Sequence, residues 1–276
     1  MNLRSVSAIA RPVDFKYPTN RAIAIITVAT AAFELLRSLI VGAGLTASFG
    51  SAFGVALAVF LSWALCREVD PDQDNSAFLA SALVLAGVYA WGRPDLIVVF
   101  WVLLSVRIIN RTTGLPATIP DSFGLLGLGL WLTFTGSWSY GVLTAMAFGL
   151  NSTLPEPQKL HLRFALTAVA GALLAAIRGG LAYQDPNGLL WAAVLALGLS
   201  LSFAPVFVAS ATISSVGDDT NVRLSSTRVR TGQGFVLLVG VVLAFQMGSA
   251  GVVALLPLWS AVLGGSLYLL FPAKRV

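Results

Sequence analysis

The sequence predicts an all-α fold, a polytopic transmembrane helix bundle of about ten helices (eight to ten) with both termini in the cytoplasm. Three observations predict it. Hydrophobic residues make up 57% of the 276-residue chain and charged residues only 11%, with a mean hydropathy of +0.85, whereas a soluble domain carries about 25% charged residues to cover its surface. The apolar residues gather in blocks of about 15 to 27 between brief polar hinges, which is how bilayer-spanning helices read. Finally, alternating the hinges from a cytoplasmic start collects fourteen of the seventeen Lys and Arg on the inner side. The inner set is Arg4, Arg11, Lys16, Arg21, Arg67, Arg107, Arg111, Lys159, Arg163, Arg223, Arg228, Arg230, Lys274 and Arg275, leaving Arg37, Arg93 and Arg178. The net charge of +5 is therefore a matter of topology, and no nucleic acid is expected as a partner.

The elements follow in order. Residues 1–20, polar and basic with no apolar core of a signal peptide, form a cytoplasmic arm, and 21–276 form a single transmembrane domain. The first span, 21–46, carries Glu34 and Arg37 inside an otherwise apolar run. At about 1.5 Å per residue from Arg21, Glu34 falls roughly 20 Å along the helix, deep in hydrocarbon. Three-residue spacing lets the two side chains pair, which lowers the cost of about 2.5 to 3.5 kcal/mol for a charge at the bilayer centre. Span 50–66 ends in the hinge CREVDPDQDNSAF, where Glu68, Asp70, Asp72 and Asp74 alternate behind Arg67. Alternate carboxylates suit a hard cation or, with arginine opposite, a lipid headgroup, although the sixth-position glycine and distal glutamate of a calcium loop are missing.

Spans 76–92 and 95–110 lead to SVRIINRTTG, which supplies Arg107, Asn110 and Arg111 ahead of Asp121, a pattern that fits phosphate. Spans 122–137 and 139–154 come next, and 161–183 opens on His161, expected at the interface. Ala168, Ala172 and Ala176, then Ala192, Ala196, Ser200 and Ala204 in span 187–213, place small residues four apart and mark close helix crossings. Pro205 in that span and Pro257 in the last span, 250–271, interrupt their helices. Between them, span 233–248 carries Gln246. Trp91, Trp101, Trp138, Tyr140 and Tyr183 are expected to form an aromatic belt. The hinges from 110 and from 218 resemble each other faintly, each running from Thr and basic residues into a Gly-Leu-rich helix.

The chemistry is sparse. Cys66 is the only cysteine and His161 the only histidine, which argues against a Ser-His-Asp hydrolase, a haem site or a multi-histidine metal site. No metal or cofactor is named by any motif, and nothing demands an enzyme. The leading expectation is a small-solute permease of a prokaryotic-type plasma membrane. Its substrate path would run past Glu34 and Arg37, with Gln246, Ser200 and Ser202 as further polar groups. The alternative is a non-catalytic membrane subunit of a larger complex. A third expectation is a lipid-phosphate enzyme built on hinges 67–74 and 107–121. Membrane lipids are expected partners in each case, together with other membrane subunits or a second copy of the chain.

Overall fold

The computed structural model describes residues 6–179 and 189–270; Arg4, Tyr183, Lys274 and Arg275 lie outside them. Among the described residues the chain is all-helical, without a strand beyond the isolated bridge between Val216 and Arg223. The helices are α1 (Pro18–Ile40), α2 (Leu45–Val69), α3 (Ser76–Trp91), α4 (Leu96–Asn110), α5 (Ile119–Thr135), α6 (Trp138–Thr153), α7 (His161–Gly179), α8 (Leu189–Ser202), α9 (Ala204–Ala209), α10 (Ser226–Met247), α11 (Ser249–Ala254) and α12 (Leu256–Tyr268).

Each apolar block falls on a helix, and capping chemistry moves several of the ends. Pro18 starts α1 ahead of Arg21, since proline suits the first helical turn, and Gly42 at φ +81° closes the chain behind it well before residue 46. Thr118 and Asp121 form a reciprocal capping box that opens α5, and the Ser225 hydroxyl accepts from the Arg228 amide to open α10 seven residues before the apolar block begins. Pro205 and Pro257 do more than bend their spans: each sits in the first turn of a new helix, α9 and α12.

Five stretches are long and apolar enough to cross a bilayer: Pro18–Ile40, Leu45–Val69, His161–Gly179, Leu190–Ala209 and Ser226–Met247. Ser76–Trp91 and Leu96–Asn110 are apolar but shorter. Length and composition therefore carry five crossings among the described residues, fewer than the ten the hinges suggest.

The surface shows which solvent the helices meet. Helix α1 buries Thr30, Glu34 and Ser38 at four-residue spacing and exposes Ile25, Val28, Phe33, Leu36 and Ile40. A water-soluble helix does the reverse. Helix α7 repeats the pattern, exposing Leu166, Leu173 and Ile177 while burying Ala168, Gly171 and Ala172. Lipid gains nothing from hiding leucine, so polar and small residues take the packed face instead. The chain reads as an integral membrane protein.

The described helices divide into two compact units. One gathers residues 6–11, 100–179, 189–198 and 207–252; the other gathers 12–99, 199–206 and 253–270. In the first, α6 packs on α7, α5 packs on both, and α10 touches α6. The α6–α7 crossing is close because a side chain at Gly141 would stand 2.9 Å from the Ala172 methyl and 3.1 Å from the Ala168 carbonyl. Along the predicted small-residue stripes, Ala168, Ala172, Ala192 and Ala196 are buried, Ala176 and Ser200 half-buried, and Ala204 exposed. In the second unit α2 packs against α1, α3 and α12, and α12 crosses α3 with Gly264 laid against Ala80.

Candidate functional site

The Glu34–Arg37 pair exists and is larger than a pair. Arg37 Nε and Nη2 donate to the two Glu34 carboxylate oxygens at 2.7 and 2.8 Å, a bidentate clasp allowed by the i, i+3 spacing. Tyr89 from α3 donates its hydroxyl to Glu34 Oε2 at 2.8 Å, and Ser51 from α2 donates to Oε1. Arg93, in the α3–α4 connection, donates to the Ser51 oxygen at 2.6 Å. The Arg37 guanidinium lies 5.2 Å from the Tyr89 ring centroid, so the ring face shares its charge.

Glu34 is 1% exposed and Arg37 42%. Because α1 ends at Ile40, Arg37 sits in its last turn and Glu34 only about 9 Å from its end. The cluster therefore lies at one end of α1 rather than midway along it. Sequence reading supplied two members and missed Ser51, Tyr89 and Arg93. No spacing rule joins residues on three separate elements.

The acidic hinge does not converge on a common point. Arg67 turns away to Asp74 at 3.2 Å and over the Trp63 ring, Glu68 is fully buried, Asp72 is half-buried and Asp74 is exposed. Among the described residues no group of three or more His, Cys, Asp or Glu side chains is placed to hold a metal ion. Asp70 stands apart. It is 6% exposed, one residue past α2, and its Oδ2 has no hydrogen-bond partner. Burial pushes its carboxyl up to about 7, the neighbouring Asp72 charge pushes the same way, and Ser76 pulls against them.

The 107–121 hinge docks on loops that the sequence separates widely. Asn151 organises them. Its carbonyl oxygen accepts from Arg228 Nη1 at 2.8 Å and from Arg111 Nη2 at 3.3 Å, while its amide nitrogen donates to Gln158 at 2.9 Å and meets His161 Nδ1 at 2.8 Å. That amide can only donate, so His161 accepts at Nδ1 and donates from Nε2 to the Ser122 hydroxyl 2.9 Å away. His161 is thus 2% exposed and in the packed interior. Its partners lie on α5 and α6, beyond the reach of local pattern. Asn151 is itself fully buried.

Arg228 closes the network by donating to the backbone oxygens of Ile109, Pro155 and Glu156. Arg111, in the left-handed region at φ +53°, reaches Glu156 at 3.5 Å and keeps its Nε buried without a hydrogen-bond partner. Burial works against its charge and Glu156 partly offsets this. Arg107 donates to the Ile9 carbonyl. The two similar hinges meet here: Asp218 and Asp219 amides donate to the Thr112 and Thr113 carbonyls, and Gly114 at φ +85° lies so close to Thr220 that no side chain fits.

The remaining candidates make helix contacts. Gln246 is bonded to Ser137 and Ser139 at the start of α6, which ties α10 to it. Ser202 donates back to the Leu199 carbonyl at 2.7 Å, and Ser200 is half-buried in the same helix. Among the aromatic residues Trp91 is exposed at the end of α3, but Trp101 is fully buried, donating to Thr144 at 3.0 Å and packing edge-on to the buried Tyr140. Those two belong to the core and not to a belt, while Trp138 is half-buried at the start of α6.

Comparison with protein-family models, with curated proteins and with solved structures finds no match for this chain.

Proposed function

We propose that the chain is a small-solute permease of a prokaryotic-type plasma membrane, with ten crossings, both termini in the cytoplasm and alternating access around the Glu34 cluster. One observation supports this above the others. Arg37 alone clasps the Glu34 carboxylate, while Arg93 donates to the Ser51 hydroxyl that bonds it and forms no ion pair among the described residues. A self-neutralised structural pair needs only one arginine. The second leaves a positive charge beside an exposed Arg37, suited to a carboxylate or another anionic group on a small solute. The ten crossings rest on the apolar blocks and the placement of Lys and Arg, with α9 and α12 completing broken spans.

The experiment is uptake of a panel of small organic anions into proteoliposomes holding the full chain. Arg93→Gln should cut flux at least tenfold, and Glu34→Gln and Arg37→Gln should each abolish it. Flux restored in the Glu34→Gln/Arg37→Gln double variant would mark a purely structural couple, and unchanged flux in all single variants would remove the site.

A second reading, handling of an anionic phosphate group, is favoured by the buried, unpartnered Nε of Arg111. Arg111→Gln would then abolish phosphate-dependent activity and leave anion uptake intact.

A further inference from the structure

The acidic hinge contains a carboxyl group that neither reading uses. Asp70 follows the last residue of α2, is 6% exposed, and has one oxygen, Oδ2, with no donor within reach. That oxygen faces α12, where a side chain at Gly265 would stand 3.5 Å from it, and the same point is walled by Phe203 and Val206. Every charged group around it either repels an anion or is engaged elsewhere. Asp72 adds a second negative charge from the same hinge. Arg67, on the preceding turn, is paired with the exposed Asp74. Glu68 is buried one turn back and carries no positive charge. From α3 come only the neutral Ser76 and Asn75, the latter near the Tyr268 hydroxyl of α12 at 3.5 Å.

A carboxylate in such a place lacks both a counter-ion and a full hydrogen-bond shell, whereas the neutral acid needs neither. We propose that Asp70 is a proton-binding site: its Oδ2 takes H⁺ from bulk water and returns H⁺ to it, so that the group exchanges between carboxyl and carboxylate in the folded protein. The burial and the Asp72 charge that press this carboxyl to about 7 put the exchange in the working range of a cell. Joined to the permease reading, on which this clause alone rests, the proton becomes the coupling ion.

Infrared difference spectroscopy on the full chain in lipid nanodiscs reads the site without any transported solute, so its result is independent of whether the chain is a permease. The carbonyl stretch of a protonated carboxyl should titrate with a midpoint near 7 in the wild type. It should vanish in Asp70→Asn, and in Asp72→Asn it should persist with a lower midpoint, because a repelling charge has gone. A wild-type spectrum without a carboxyl titrating near neutrality would overturn the proposal, as would a band undiminished in Asp70→Asn or a midpoint unmoved in Asp72→Asn. Circular dichroism of each variant against the wild type separates loss of the proton site from loss of the fold.

Discussion

Asn151 links four other side chains of its unit through its own. Its single side chain accepts from two arginines and donates to His161 and Gln158, so four groups from three segments depend on it. Asn151→Leu keeps the volume and leaves two buried guanidinium groups short of an acceptor, which should cost about 3 kcal/mol. The measurement is the thermal unfolding midpoint in detergent, and an unchanged midpoint would show the network to be dispensable. Asp70 gives a pH-dependent counterpart. Its carboxyl binds H⁺ more tightly in the folded protein than the ordinary value of 3.8 allows. Between about 4 and 7 the folded state therefore holds the proton that the unfolded state has lost, and stability falls as pH rises through that window, levelling above it. Wild type minus Asp70→Asn should show this slope, with a limit of about 4 kcal/mol at 1.36 kcal/mol per pH unit.

At the scale of elements, helix contact is governed by what is missing from a side chain. A methyl at Gly141 meets the Ala172 methyl, Thr133 and the Ala168 backbone from three sides at 2.9 to 3.1 Å, so α6 and α7 would have to separate. Gly149, on the same helix, has nothing within 4 Å of the same position. Gly141→Ala should destabilise by about 1 to 3 kcal/mol while Gly149→Ala stabilises by about 0.5 to 1 kcal/mol. Opposite signs in one melting series would confirm the crossing; equal signs would refute it. This is also the scale at which the sequence was most legible. Hydropathy blocks located the helices because lipid imposes apolar length directly. It failed at ends fixed by single side chains, as at Thr118 and Ser225, and at α8 and α10, where one block breaks or begins early. Of the candidate site, the sequence offered Glu34 with Arg37 because helical spacing is local. Ser51, Tyr89 and Arg93, and the whole Asn151 network, required tertiary contacts that no periodicity encodes.

Across the whole molecule the recurring feature is polarity turned inward. A photoactivated lipid probe should label Ile25, Val28, Phe33 and Leu36 on α1 and spare Thr30, Glu34 and Ser38. Labelling of the polar set instead, or of neither set, would contradict a bilayer-embedded α1. The opposite extreme is the short segment ahead of α1, whose Ser7 and Ala8 bond the Asp121 carboxylate and whose Val6 carbonyl accepts from Thr118. Asp121 comes 114 residues after Ser7. At ribosomal speeds of about 5 to 20 residues per second, that leading segment waits on the order of ten seconds for its anchor to be made. All of α1 to α4 is synthesised before Asp121 emerges, so the segment's docking cannot begin until those four helices exist, and a bulky fusion placed ahead of it would act on that step.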